Sequence, residues 1–216
     1  MAIIANWLLI IVFVFAVLSY FYKFPKKDKI NISEIPSSYC IQTVNRMDIQ
    51  QNNECAAYSS AFILRHLGNE ADGNKLYSKY PRKLLDGTVS PRGITVFFKK
   101  LDFDVSYYFG NANTLKKQIS QGMPVIAFIK VFPDKRYLHF VPVVGYDDEY
   151  FYLADSLKHT INCDEKHYNR KILISDLEAV WKTWMPFCKN SYIVIHQKQS
   201  NMTTSQDQNK RVNSSR

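Results

Sequence analysis

Three residues of this 216-residue chain carry side chains that together can make an activated nucleophile: Cys55, His139 and Asp155. Cys55 opens an apolar, helix-like stretch. His139 opens one strand-like stretch, HFVPVVGYDD, and Asp155 closes the next, EYFYLAD. An imidazole beside a thiol favours the reactive thiolate, and a carboxylate can hold the ring in place. The spacing therefore predicts a thiol nucleophile that is assisted by a histidine and oriented by an aspartate.

The surroundings of Cys55 act on its thiol in two opposite ways. The N-terminus of a helix presents unpaired N–H groups and the positive end of the helix dipole, which favour a thiolate. The adjacent carboxylate of Glu54 opposes that ionisation. The sequence leaves open which of the two effects is larger.

Acyl transfer also needs hydrogen-bond donors for the developing oxyanion, and an amide side chain just before the helix can supply one. The backbone N–H of Cys55 is a second donor. Gln50 and Gln51 both lie at the required place. We favour Gln50, because more chain separates it from the nucleophile and gives it the reach to fold back.

Each of the three central residues also has a simpler structural explanation. A cysteine near the start of a helix is commonly a small core residue. A histidine on an apolar strand can be a hydrogen-bonded core residue, and Asp155 before Ser156 can start a turn. The catalytic interpretation therefore depends on the three side chains meeting in one place.

The elements that must position these side chains follow an α+β pattern. The cysteine helix is predicted to run from a cap at Asn52 or Asn53 to about residue 67, with Gly68 as its stop. Short runs rich in Val, Ile, Tyr and Phe predict a mostly antiparallel sheet in the second half, with strands at residues 125–129, 139–146, 150–154 and 192–196.

Three further elements are predicted from local patterns. Ser175 to Glu178 matches a capping box at the start of a helix. Trp181 and Trp184 follow it and are predicted to anchor the core. Residues 107–109 predict a buried strand, with a place in a substrate groove as the alternative.

Residues 1–22 contain no charged side chain and are about long enough to cross a bilayer as a helix. A cleaved signal peptide is the alternative, but basic residues before the run and small residues after it are missing. We therefore predict one transmembrane anchor, with the lipid bilayer as a partner. The lysines that follow place the domain in the cytoplasm by the positive-inside rule: Lys23, Lys26, Lys27 and Lys29.

The rest of the chain divides into a basic linker at residues 23–38, one domain at residues 39–197 and a disordered polar tail at residues 198–216. The formal net charge is +9, but no nucleic-acid-binding motif is present, so a nucleic-acid partner is not expected. None of the four cysteines forms a Cys-x-x-Cys pair, so we expect no metal and no organic cofactor.

Two segments, QQNNECAAYSSAFILRHLG and HFVPVVGYDDEYFYLADS, resemble the papain-like cysteine peptidases that remove double-glycine leaders from bacteriocins. That family is peptidase family thirty-nine of the cysteine class, and many of its members are stand-alone domains. Its pattern of Cys, small residue, Gly, His, Gly-x-Asp and Asp matches Cys55, Ala57, Gly68, His139, Gly145, Asp147 and Asp155.

The chain departs from the family pattern at three places. The family usually has Asp-Cys-Gly where this chain has Glu54-Cys55-Ala56, and it often has Pro where this chain has Ser156. The family glutamine stands six residues before the cysteine, where this chain has Ile49. The oxyanion donor therefore stays open between Gln50 and Gln51.

The resemblance implies a papain-like fold and a cysteine peptidase that acts on a peptide or protein substrate, and the predicted anchor at residues 1–22 would tether it to a membrane. In that reading Cys55 attacks, His139 transfers the proton, Asp155 orients His139, and Gln50 stabilises the oxyanion. Two alternatives use the same scaffold: an acyltransferase with the same thiol, and a catalytically inactive peptide-binding module. The oligomeric state is not indicated.

Overall fold

A computed structural model describes residues 2–198, apart from the side chains of residues 2–5, 17 and 19–21. The described chain forms six α-helices: α1 (Ala2–Phe21), α2 (Cys55–His66), α3 (Gly73–Lys79), α4 (Pro91–Lys100), α5 (Ala112–Ser120) and α6 (Ile174–Trp181). It also forms eight strands: β1 (Lys26–Lys27), β2 (Tyr39–Cys40), β3 (Phe103–Phe109), β4 (Val125–Lys130), β5 (Leu138–Tyr146), β6 (Tyr150–Leu153), β7 (Arg170–Leu173) and β8 (Ser191–Gln197).

The eight strands form one sheet in the order β1-β3-β8-β4-β5-β6-β7, with β2 paired to β5. Every pairing between these strands is antiparallel except that of β1 with β3. The predicted α+β class and the mostly antiparallel sheet are therefore confirmed. The four strands predicted from apolar runs match β4, β5, β6 and β8 to within two residues at each end.

Helices cover both faces of the central strand β5. Helix α2 packs against one face and α5 against the other. As a result, every residue of β5 after Leu138 is buried. This explains why its sequence is continuously apolar rather than alternating, and why a histidine on it is shielded from solvent.

The turn between β5 and β6 is built around Asp147. Its Oδ1 atom accepts hydrogen bonds from the backbone N–H groups of Glu149 and Tyr150, and its Oδ2 atom accepts one from the Tyr152 hydroxyl. This Asx-type turn fixes the register of the two strands. The predicted tight hairpin at residues 147–149 is confirmed.

The nucleophile helix starts later than predicted. It begins at Cys55 itself, and the residue before it, Glu54, makes no side-chain cap. Asn52 and Asn53 therefore do not cap the helix, because the chain is still turning at both positions. The stop was predicted correctly, since Gly68 follows the helix with a φ of 81°.

Two predictions near α6 are wrong. The capping box at Ser175 does not form, because the helix starts at Ile174 directly after β7 and Ser175 already lies within it. Trp181 is fully buried as predicted, but Trp184 is 52% exposed because the helix has ended before it. Residues 107–109 lie in β3 as predicted, but only Tyr107 is buried and Phe109 is exposed.

The predicted transmembrane anchor at residues 1–22 is not supported. In the part of the chain that the structure describes, no helix is long and apolar enough to cross a membrane. The single-pass membrane location and the bilayer partner rested on the same anchor and are likewise not supported.

The segment at residues 23–38 makes contacts with the domain. Its strand β1 pairs with β3, and the buried carboxylate of Asp28 accepts hydrogen bonds from Gln118 and Tyr192. The predicted polar tail, beyond its first residue Lys198, lies outside the described residues.

Candidate active site

The thiol of Cys55 stands at the first position of α2 and is half-buried. The helix is fixed against β5 one turn further on, where the hydroxyl of Ser59 donates a 2.8 Å hydrogen bond to the carbonyl oxygen of Phe140. Phe140 follows His139 on the strand. This bond therefore sets the distance between the start of the helix and the imidazole.

His139 lies between a thiol and a carboxylate. Its Nε2 atom is 2.8 Å from Oδ1 of Asp155, and the Cys55 thiol lies close enough to the ring to raise its pKa. Since Nε2 faces Asp155, Nδ1 is the nitrogen that remains for the thiol. The structure thus brings Cys55, His139 and Asp155 together in one chain of contacts.

Burial and charge act oppositely on the ring of His139. Burial lowers its pKa, but the negative charge of Asp155, the hydrogen bond to Asp155 and the nearby Cys55 thiol outweigh burial and raise the pKa to about 9. For Asp155, burial raises the pKa, but His139 and Arg170 hold it well below its ordinary value. At neutral pH this arrangement favours an imidazolium beside an ionised carboxylate.

The carboxylate of Asp155 has more partners than the histidine. Oδ1 also accepts the backbone N–H of Leu157 at 2.9 Å, and Oδ2 accepts the Thr160 hydroxyl and Nη1 of Arg170, each at 2.8 Å. The backbone of Asp155 is held on both sides by the side-chain amide of Asn169, with two 2.7 Å bonds. Asp155 is therefore fixed in position by groups from several segments.

Cys55 and His139 open into a cleft of about 560 Å³. Gln50 lines this cleft and Gln51 does not. Gln50 is held by Ser156, because its backbone N–H donates to the Ser156 carbonyl at 2.9 Å and its Oε1 accepts the Ser156 hydroxyl at 2.6 Å. With Oε1 engaged, the NH₂ end of the amide is the end left for other acceptors, one of which is the carbonyl of Asn52.

The carboxylate of Glu54 turns back toward the loop before the helix. Its Oε2 atom accepts the backbone N–H groups of Gln51 and Asn52, at 3.0 and 3.3 Å. These two charge-assisted bonds fold the loop that carries Gln50. The side chain therefore has a structural role beside the thiol, which the sequence analysis did not foresee.

The walls of the cleft are largely apolar, with a few polar groups. One wall comes from the loop after α3 and contains Leu84 and Asp86. The lining also contains the exposed aromatic side chains of Phe132, Tyr137 and Trp184. Trp184, predicted as a core anchor, instead donates its indole N–H to the carbonyl of Arg136 at the cleft.

No candidate metal site occurs among the described residues. They contain no group of three or more His, Cys, Asp or Glu side chains that could hold a metal ion. All four cysteines are free. Burial raises the pKa of the Cys40, Cys163 and Cys188 thiols, which disfavours their reactive forms.

The family model for the peptidase C39 family matches residues 44–191, which contain Cys55, His139, Asp155 and every residue that lines the cleft. The chain belongs to the peptidase C39 family. This C39 protein is a cysteine-type peptidase, and its predicted family resemblance is confirmed. Comparison with curated proteins gives no match.

Solved structures show that the C39 peptidase has a papain-like α+β fold. A C39-like peptidase from Bacillus anthracis has 17% identity and a TM-score of 0.60, over 76% of this chain and all of that one. Xylellain, a cysteine protease from Xylella fastidiosa, has 12% identity and a TM-score of 0.54, over 82% and 96%. A double glycine motif protease in complex with a leader peptide has 14% identity and a TM-score of 0.51, over 72% and 93%.

Four residues of the C39 peptidase site had no assigned role in the sequence analysis: Ser156, Thr160, Asn169 and Arg170. Ser156 was noted only as a departure from the family's proline. Arg170 and Asn169 lie at β7, a strand whose sequence, RKIL, is too short and too polar to be predicted. No signal in the sequence would have pointed to them.

Proposed function

We propose that this C39 peptidase hydrolyses peptide bonds with Cys55 as nucleophile, His139 as proton carrier and Asp155 as the residue that orients His139. The observation that carries the proposal is the continuous set of contacts from the Cys55 thiol through the His139 ring to the Asp155 carboxylate. The thiol end of this set opens into the cleft and the carboxylate end is buried. A substrate can therefore reach the nucleophile while solvent cannot reach the carboxylate.

The chemistry follows from these positions. The Cys55 thiolate attacks the carbonyl carbon of the scissile bond, and the carbonyl π electrons move to oxygen. His139 then gives its proton to the leaving amine as the C–N bond breaks, which leaves a thioester on Cys55. In the second half, His139 takes a proton from water, the hydroxide attacks the thioester, and the carboxylic acid product leaves while the thiolate is restored.

Gln50 supports the step in which negative charge collects on the carbonyl oxygen. It is the glutamine that lines the cleft, and its Oε1 atom is engaged by Ser156, so its NH₂ group is the end available to an oxyanion. The backbone N–H of Cys55, at the N-terminus of α2, is the second donor. Acyl transfer needs donors of this kind directed at the developing oxyanion.

The cleft supports a peptide as substrate. Its volume of about 560 Å³ and its apolar walls with a few polar groups suit a short stretch of extended chain. The similar double glycine motif protease is in complex with a leader peptide. We therefore include double-glycine sequences among the peptides to be tested.

Hydrolysis of a peptide library by the full chain tests the proposal, with products identified by mass spectrometry. We expect cleavage by the wild type and loss of cleavage in Cys55→Ala. Cys163→Ala is the matched control, because Cys163 is a half-buried thiol outside the cleft, and it should retain cleavage. Equal turnover by the wild type and Cys55→Ala would rule the mechanism out.

Two further outcomes separate the alternatives. If added amines appear in the product in place of water, the chain is an acyltransferase with the same thiol. If a thiol-reactive probe labels Cys55 no faster than Cys163, the cleft binds peptides without cleaving them. Both readouts use the same protein preparations as the hydrolysis assay.

A further inference from the structure

Arg170 lies on β7 directly opposite Leu153 of β6, in an antiparallel pair. Paired residues present their side chains on the same face of a sheet. The side chain of Arg170 therefore extends along the face that leads from Leu153 to Asp155, just past the end of β6. Its Nη1 atom ends 2.8 Å from Oδ2 of Asp155, and only 11% of the side chain is exposed.

The two oxygens of Asp155 thus face two different cationic groups. Oδ1 faces the imidazole of His139 and Oδ2 faces the guanidinium of Arg170, each at 2.8 Å. A peptidase triad of cysteine, histidine and aspartate needs only the first of these contacts. The second is a buried ion pair, and a buried charge is retained at a substantial desolvation cost.

We propose that Arg170 is a positioning residue of the catalytic site, whose guanidinium divides the negative charge of Asp155 between itself and His139. This inference rests on the proposed function of the triad. It adds a fourth member to the set of residues that govern the proton on His139, and it places that member on a different strand.

Charge balance explains what the guanidinium does. Four ionisable side chains meet in the buried set: Cys55 from α2, His139 from β5, Asp155 after β6 and Arg170 from β7. The other side chains on the Asp155 carboxylate and backbone, Thr160 and Asn169, are neutral. With Arg170 present, the set is neutral overall whether the proton is on the thiol or on the imidazole. Without it, the set would carry one uncompensated negative charge in a site shielded from water.

The same balance affects catalysis. An isolated buried carboxylate would hold a proton on His139 very strongly, and a strongly held proton is transferred reluctantly to the leaving amine. Arg170 draws part of the carboxylate's charge toward itself and so weakens this hold. The ring stays charged at neutral pH, as the thiolate requires, but its proton remains available for transfer.

Geometry contributes a second effect. The short bonds from Arg170 and Thr160 fix Oδ2, which leaves Oδ1 directed at the ring. A rotation of the carboxylate would break contacts on both oxygens at once. The plane of the imidazole, and with it the direction of Nδ1 toward Cys55, is thereby held.

The test is an NMR titration of the His139 ring in the full chain, with the signal assigned by comparison with His139→Gln. Arg170→Gln removes the charge and keeps an NH₂ donor. Arg170→Lys keeps the charge but loses the planar guanidinium group with its several N–H donors. Lys171→Gln is the matched control, because it removes one positive charge from the next residue, whose ammonium faces the rings of Tyr150 and Tyr152 instead of Asp155.

We expect Arg170→Gln to raise the midpoint of the ring titration by about 0.5 to 1 unit, since a nearby positive charge has been removed. Arg170→Lys and Lys171→Gln should leave it within about 0.3 units. In the peptide assay, kcat should fall roughly tenfold in Arg170→Gln with KM little changed. An unchanged or lowered midpoint in Arg170→Gln would overturn the proposal, because a merely structural arginine would not move it upward.

The ring titration needs no substrate, so it decides the role of Arg170 even if the chain cleaves none of the peptides tested. If Arg170→Gln does not fold, the double variant Asp155→Asn, Arg170→Gln removes both charges and should fold. In that case Arg170→Lys, which keeps the charge, decides the proposal: a midpoint within about 0.3 units of the wild type supports it, and a larger shift overturns it.

Discussion

The Nε2 atom of His139 lies 2.8 Å from Oδ1 of Asp155, and the two side chains are 1% and 0% exposed. In such a site the charge on each partner depends strongly on the other. The pKa of His139 is therefore raised mainly by the buried carboxylate of Asp155.

Replacement of Asp155 by Asn should shift the pH dependence of cleavage. In the wild type the ring has a pKa of about 9, so the imidazolium persists to mildly alkaline pH. Asn removes the charge that raises this pKa while burial, which lowers it, remains. We expect kcat/KM to fall roughly a hundredfold or more and its alkaline limb to move to lower pH by more than one unit.

Profiles of kcat/KM from pH 5 to 10 measure this shift in the wild type and in Asp155→Asn. Asp164→Asn serves as the control, since it removes one carboxylate from an exposed loop. An alkaline limb at the same pH in wild type and Asp155→Asn would show that the carboxylate does not govern the ring.

The same pair should make the stability of the fold depend on pH. Folding raises the pKa of His139 from 6.5 to about 9, so its contribution is fully present below pH 6.5 and is lost as the pH rises through about 9. Folding lowers the pKa of Asp155 from 3.8, so its contribution is present above pH 3.8 and is lost as the pH falls below that value. The window of full stabilisation therefore lies between about pH 4 and 6.5.

Urea unfolding at pH 5, 7 and 9.5 checks this window. The difference in unfolding free energy between wild type and Asp155→Asn should be largest at pH 5 and smallest at pH 9.5. The difference in unfolding free energy that remains at pH 9.5 measures the loss of the hydrogen bonds that Leu157, Thr160 and Arg170 donate to the Asp155 carboxylate. A difference that grows toward pH 9.5 would contradict the direction of the His139 shift.

The choice between Gln50 and Gln51 can be decided by a matched pair of alanine variants. Gln50 lines the cleft, whereas Gln51 is exposed outside it. Removal of an oxyanion donor typically lowers kcat by about 10² to 10³. We expect a loss of that size in Gln50→Ala with little change in KM, and nearly wild-type kinetics in Gln51→Ala. The reverse ranking would assign the donor to Gln51.

Much of the scaffold could be predicted because its signals are local. Short stretches of sequence are enough to predict the apolar strands β4, β5, β6 and β8 and the glycine that ends α2. The positions of Cys55 at the start of a helix, of His139 on one strand and of Asp155 just after the next strand follow from the same signals. The three side chains meet because of how the strands pair, and strand pairing cannot be read from a single sequence.

What the sequence could not show depends on register and on long-range hydrogen bonds. Arg170 reaches Asp155 because β7 pairs with β6, and the bond between Gln50 and Ser156 joins residues 106 positions apart. Trp184 has the same residue type as Trp181, yet one is exposed at the cleft and the other is buried. Only the point at which α6 ends separates them, and helix ends are weakly encoded.

Gly145, which matches a family position, should tolerate no side chain. A Cβ atom there would lie 2.7 Å from a ring carbon of Tyr152 and 2.8 Å from the carbonyl oxygen of Tyr39. The backbone of β2 cannot move away without losing its pairing with β5. We expect Gly145→Ala to lower the free energy of unfolding by about 1 to 3 kcal/mol, as for other overpacked sites.

Gly68→Asn is the control for that measurement. Gly68 has a φ of 81° with open space around its α-carbon, and asparagine tolerates this conformation. Gly68→Asn should lower the free energy of unfolding, measured in urea, by no more than about 0.5 kcal/mol. Equal costs for the two variants would mean that β2 moves freely at Gly145.

Ser156 stands where the family often has proline. Its hydroxyl donates to Oε1 of Gln50 at 2.6 Å and so directs the NH₂ end of that amide. Ser156→Ala should leave the amide in place but less well oriented, with a roughly tenfold loss of kcat. Ser156→Thr, which keeps a hydroxyl, is the control and should lose less.

A double-mutant cycle shows whether Ser156 acts through Gln50. If it does, Ser156→Ala should have almost no further effect on kcat once Gln50 is alanine, because the group that it orients is gone. If the two losses instead multiply in the double variant, Ser156 supports catalysis by another route, such as the position of the adjacent Asp155. The cycle thus tests the orientation of the oxyanion donor separately from its presence.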